Sequence, residues 1–138
     1  MNKMLFYVIT VALIISIGAV CLVFADGDDK KNIEFLKNYG WETTGKYTEA
    51  VKITIPKTFD DVYKNYNELQ LLAGLDLSRY KGKDAIRYTY IVKNFPNNIE
   101  ETVYANVICV NKKPIAGDVM TVQSDGFMYS LNYLKSGK

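Results

Sequence analysis

From Met4 to Phe24 the chain carries no charge, and after it the pattern breaks into short amphipathic runs. A helix of about 21 residues rises roughly 31 Å, which matches the roughly 30 Å hydrocarbon core of a bilayer. Residues 1–25 are therefore expected to form a transmembrane anchor, residues 26–31 a polar linker, and residues 32–134 an extracytoplasmic domain. Lys3 precedes the apolar run and the acidic "DGDDKK" follows it, an asymmetry that places the C-terminal part outside. "VFA", Val23 to Ala25, also resembles a signal-peptidase site, so secretion after cleavage at Ala25 is the alternative. Cys21 follows Val20, where lipid attachment wants a small residue, and it reads as one more apolar membrane residue.

Beyond the linker, "KKNIEFLKNYGWE" predicts a short helix. Ile33, Leu36 and Tyr39 share a face, and Gly40 stands where a left-handed C-terminal cap belongs. Trp41, the only tryptophan, is expected in the core at that helix end. "EAVKITIP" alternates, with Val51, Ile53 and Ile55 on one side, and Pro56 closes the strand. "TFDDVYKNYNELQLLAG" holds the clearest helix. Thr58 and Asp61 suggest a capping box, Phe59, Val62, Tyr63, Tyr66, Leu69 and Ala73 follow helical spacing, and Gly74 ends the run. Four strand-like runs follow at 84–94, 100–110, 114–123 and 127–133, separated by "FPNNI", "NKK" and "SDG". Such short separators require antiparallel neighbours.

The expected fold is thus α+β: two helices covering one face of a mainly antiparallel four- to five-stranded sheet, with a meander over 84–133. Ile86, Tyr88, Tyr90 and Val92 line one face of their strand, and Val103, Ala105, Val107 and Cys109 do so on the next. Cys109 reads as a small buried apolar group.

Composition narrows the chemistry. Seventeen Lys and Arg nearly balance fifteen Asp and Glu, with no basic cluster of the kind a nucleic-acid backbone demands. The chain contains no histidine, which removes Ser–His–Asp and Cys–His catalysis and the usual zinc sites. No evident nucleophile presents itself for a Ser–Lys dyad, Gly-rich phosphate loops are missing, and no cofactor or metal is expected. Among the acids, Asp118 in "IAGDVM" stands out inside an apolar strand; it reads as satisfying backbone donors at a glycine bulge, with a catalytic acid as the alternative. Tyr88, Tyr90 and Tyr104 invite the idea of an aromatic ladder that grips a sugar or a peptide, against simple cross-strand packing. A second candidate surface is the loop Asp76 to Lys83, which carries Arg79 and Lys83.

The segments "FLKNYGWE", "ITIPKTFDDVYKNYNELQLLAGLDLSRYKGKDAIRYTYIVKNF" and "VYANVICVNKKPIAGDVMTVQSDGFMYSL" resemble the bacterial domain family of unknown function DUF4830, from about Phe35 to Leu131. Gly40–Trp41, Ile55–Pro56, Tyr66–Asn67, Leu77 with Gly82–Lys83, and Gly117–Asp118 carry the resemblance. It implies a membrane segment before the domain and no known activity. The function expected is a non-enzymatic, membrane-tethered module that binds an envelope protein or a wall polymer. An envelope enzyme using carboxylates is the rival.

Overall fold

The computed structural model describes residues 28–123 and 125–136. The apolar run 4–24, with the anchor or cleavage site read into it, lies outside them, and so does Ser124 in the predicted "SDG" turn. Among the described residues no helix is long and apolar enough to cross a membrane.

Helix α1 spans Asp28–Asn38 and so begins inside the stretch read as a linker. Acidic residues favour the first turn of a helix, and the Asp29 carboxylate accepts a hydrogen bond of 2.7 Å from the Tyr90 hydroxyl, which ties that turn to the sheet. At the other end Gly40 adopts φ +94°. The amides of Gly40 and Trp41 bond back to the carbonyls of Lys37 and Leu36, the paired bonds of a Schellman ending. Helix α2, Asp61–Leu72, is capped by Asp60, whose side chain accepts from the Tyr63 amide, rather than by Thr58. Thr58 and Phe59 remain outside the helix, and Phe59 drops into the core. Gly74 repeats the Schellman ending at φ +76°.

The five strands are β1 (Glu49–Thr54), β2 (Asp84–Ile91), β3 (Tyr104–Val110), β4 (Lys113–Met120) and β5 (Met128–Tyr129). They lie in the order β1-β2-β3-β4-β5, all antiparallel. A two-residue turn, Asn111–Lys112, joins β3 to β4 with φ +49° and +65°, the pair of positive values a type I′ hairpin requires. A 3-10 turn, Leu77–Tyr80, leads into β2. The last predicted strand shrinks to two residues: the chain leaves the sheet at Ser130 and turns into a short helix, α3 (Tyr133–Ser136).

The helices do not share a face of the sheet. Alternate residues of β3, with Val103 just before it, feed two separate cores. Val103, Ala105, Val107 and Cys109 join Leu36, Trp41, Tyr88 and Tyr90 on the side where α1 packs. Ile108 and Val110 join Phe59, Tyr66, Leu69 and Leu77 on the side of α2. Both faces of β2 and β3 are therefore buried. The two helices still meet at their C-terminal ends, where the Tyr39 hydroxyl donates to the Ala73 carbonyl at 2.8 Å beyond the rim of the sheet.

Gln70 holds that rim. β5 pairs only with Val119 and Met120, so Gly117 of β4 has no strand beyond it. The fully buried Gln70 carboxamide takes the place of one, donating to the Gly117 carbonyl at 2.8 Å and accepting its amide at 2.9 Å. Buried backbone groups must be paired, and here a side chain does what a neighbouring strand would do.

Candidate functional site

The tyrosines proposed as a ladder do not form one. Tyr88 and Tyr90 are 1% and 0% exposed, sealed between the sheet and α1, so neither offers a ring face to a ligand. Tyr90 instead donates its hydroxyl proton to Asp29 and accepts from Asn32, and burial pushes its own ionisation well above the ordinary range. Asn32 also accepts from the Cys109 thiol at 3.1 Å. Tyr104 lies half-buried against the opposite core.

A different aromatic group gathers at the far end of α1. Trp41, Phe95, Phe127, Tyr129 and Tyr133 stack with ring centroids 4.4–5.9 Å apart and interplanar angles of 20° or less. Trp41 is wholly buried there and its Nε1–H donates to the Leu131 carbonyl at 2.8 Å. The rings come from segments as much as 92 positions apart, so no local spacing announces the stack.

Asp118 is 1% exposed, on the α2 side of the sheet. It does not satisfy backbone donors, and the bulge of β4 falls at the register shift opposite Ile108 and Cys109 rather than at Gly117. Its carboxylate ends a polar row that crosses three strands. The Thr89 hydroxyl donates to Asn106 Oδ1 at 2.7 Å, and Asn106 Nδ2 donates to Asp118 Oδ1 at 3.0 Å. Tyr66 of α2 closes the row, its hydroxyl donating to Asp118 Oδ2 at 2.6 Å. Arg87, on the same face, reaches Glu49 at 3.1 Å, while its Nε has no hydrogen-bond partner among the described residues. Burial drives the Asp118 carboxyl up to about 6 from its ordinary 3.8, against the opposing pull of Tyr66, Asn106 and Arg87. A shifted, buried acid is a recognised mark of catalytic sites. Here both oxygens are engaged by neutral donors and α2 covers them, so a substrate has no route to the group.

The loop from Asp76 to Lys83 fares better. The 3-10 turn is set by Asp76, whose carboxylate accepts from the amide and hydroxyl of Ser78 and from Asn67. Those hydrogen bonds, Ser78 first and then Asn67, hold the Asp76 carboxyl below its ordinary range. Asn67 Oδ1 in turn accepts the Leu77 amide at 2.7 Å. Ser78 and Lys81 have the spacing of a Ser–Lys dyad, but the Ser78 hydroxyl is committed to Asp76 and the Lys81 ammonium sits 4.8 Å above the Phe59 ring.

With the turn so fixed, a groove of about 430 Å³ opens between the end of α2, the 3-10 turn and the start of β4. Leu71, Leu75, Pro114 and Ile115 supply its apolar lining. Arg79 and Lys113 bring two cations to it, with Asp76 and Tyr80 beside them. Arg79 is 79% exposed and only 3.8 Å from Asp76 at its nearest, a loose contact that leaves the guanidinium available. Leu71 and Leu72 are 50% and 66% exposed on the adjoining helix surface. Lys83, expected beside Arg79, is exposed but does not line the groove. Lys113 was missed because it stands 34 positions beyond Arg79 and only the hairpin brings it near.

The family model for the domain of unknown function DUF4830 matches residues 35–119. The chain belongs to this family. No curated protein and no solved structure matches it. The DUF4830 match stops within β4, short of the Leu131 to which the resemblance extended. Most of the residues that carried that resemblance have structural duties in this member. Gly40 and Gly82 take positive φ, Trp41 holds the Leu131 carbonyl, Asn67 fixes the 3-10 turn, and Tyr66 and Asp118 bond to each other. Gly117 lies so close to the Asn106 carbonyl that a Cβ would stand 2.5 Å from it. In this member those positions serve the fold, and the groove with Arg79 and Lys113 lies within the same matched span.

Proposed function

We propose that this DUF4830 member is a binding module without catalytic activity. In this reading residues 4–24 tether it to a membrane, its α+β domain lies on the extracytoplasmic side, and it engages a partner of the cell envelope through the groove between α2 and β4. The groove carries the proposal: it joins the exposed Leu71 and the half-buried Leu75 to two cations whose charges no internal partner fully engages. Two further observations support it. The apolar run is long enough to span a bilayer, and only Ala25 to Gly27 stand in the sequence between it and α1. The acid that suggested an enzyme, Asp118, is enclosed and hydrogen-bonded.

The test is made in intact cells with the full chain tagged at its C-terminus. The tag should sediment with membranes and be removed by protease added outside. A tag recovered in the cytosol, or one that protease reaches only after lysis, overturns the envelope reading. A mature chain starting at Asp26 would replace the tether with secretion.

A further inference from the structure

We infer that the groove between α2 and β4 is a docking site for an acidic peptide segment of a partner protein, one that sets a carboxylate beside an apolar side chain. The inference rests on the reading of the domain as a binding module and names what that module recognises.

Three features of the groove select this chemistry. The first is charge. Arg79, Lys113 and Asp76 together leave a single net positive charge, which suits a monoanion; a dianionic phosphate would face the Asp76 carboxylate with one charge uncompensated. Arg79 also presents a planar fork of donors that matches a carboxylate. The second is size. About 430 Å³ lies toward the small end of ligand pockets and accommodates about three residues of a peptide, with Leu71, Leu75 and Ile115 placed to take one apolar side chain. The exposed Leu72 extends the apolar surface outside the groove, where flanking residues of a longer segment would run. The third is the backbone. Gln70 already occupies the outward amide and carbonyl of Gly117, and Pro114 has no amide to give. Strand addition along this edge is therefore blocked, and recognition falls to side chains, so it depends on the partner's charge and apolar anchor rather than on an extended backbone alone.

The full chain in detergent micelles is titrated with three peptide amides carrying an uncharged fluorophore at the N-terminus. One is Leu-Asp-Leu-Gln, which carries a single carboxylate, the second its neutral isostere Leu-Asn-Leu-Gln, and the third its polar counterpart Ser-Asp-Ser-Gln. The first should bind measurably and at least about tenfold more tightly than either of the others, and the difference from the neutral peptide should shrink in high salt. Arg79→Ala with Lys113→Ala should weaken the acidic peptide about tenfold and leave the weak neutral one unchanged. Both residues are exposed, so the fold is preserved, and an unchanged unfolding midpoint checks this. Equal binding of acidic and neutral peptides, or indifference to the double substitution, overturns the inference. So does preferential binding of laurate, which would assign the groove to a lipid. Failure of every peptide alongside a surface-exposed tag in cells removes this ligand class and leaves the tether standing; a cytosolic tag alongside selective peptide binding does the reverse.

Discussion

Asp118 gives the sharpest quantitative consequence of the fold. Its carboxyl is held at about 6 in the folded chain by burial, against an ordinary 3.8 in the unfolded one. Between those values the folded chain keeps a proton that the unfolded chain has released. The contribution of this group to stability is therefore fully present below about pH 4, is lost as pH rises to about 6, and stays lost above that. Two pH units correspond to about 3 kcal/mol. Asp118→Asn removes the titration while keeping the shape: the amide oxygen faces Asn106 Nδ2, the amide nitrogen faces the Tyr66 oxygen, and one hydrogen bond from the Tyr66 hydroxyl is lost, about 1 kcal/mol at all pH values. Urea unfolding of both chains at pH 4, 5, 6 and 7 reads the difference directly, because the other carboxylates cancel between them. The parent should lose about 2 kcal/mol relative to the variant from pH 4 to pH 7, the rest of the roughly 3 kcal/mol lying below pH 4. Parallel curves, or a parent that gains relative to the variant, would refute the argument that desolvation dominates at this site.

Three further substitutions test the architecture. Gln70→Ala leaves the amide and carbonyl of Gly117 without their partner and should lower stability by about 2–4 kcal/mol in denaturant unfolding, with faster hydrogen exchange at Gly117. Trp41→Phe keeps a ring in the aromatic stack but strands the Leu131 carbonyl; a loss of about 2–3 kcal/mol and earlier proteolysis of the C-terminal segment are expected. Gly117→Ala puts a Cβ 2.5 Å from the Asn106 carbonyl and 2.8 Å from Leu131 Cδ1. It should destabilise by at least about 2 kcal/mol, and adding Leu131→Ala should not rescue it, since the backbone clash remains.

The helices and strands were largely legible because their apolar periodicity and capping glycines are local. Gly40 and Gly74 end α1 and α2 where the pattern placed them, and Trp41 and Cys109 are buried as expected. The layering was not legible. Arg87 and Thr89 alternate with Tyr88 and Tyr90 as if they faced water, and Asn106 and Asp118 look equally solvent-seeking. In the folded chain Thr89, Asn106 and Asp118 bond in a row with Tyr66 beneath α2 while Arg87 reaches Glu49, so the second face is buried too. That pairing depends on cross-strand register and on the reach of Tyr66, which no spacing rule conveys. The same blindness left a ligand platform open beside cross-strand packing at Tyr88 and Tyr90: once both faces of β2 are covered, an aromatic on it is core. The final strand was overread because "FMYSLNY" alternates well, whereas Trp41 holds the Leu131 carbonyl and Leu131 packs against Gly117, taking the chain out of the sheet. Of the groove, Arg79 was visible as a turn cation. Its companion Lys113 and the leucine lining depended on the tertiary fold.

The groove is tested most directly by amide chemical-shift mapping of the full chain in micelles during titration with the acidic tetrapeptide. Shifts confined to residues 71–80 and 113–115, saturating together and absent with the neutral isostere, are the result predicted. Shifts centred on the aromatic stack from Trp41 to Tyr133, or scattered without saturation, would contradict it.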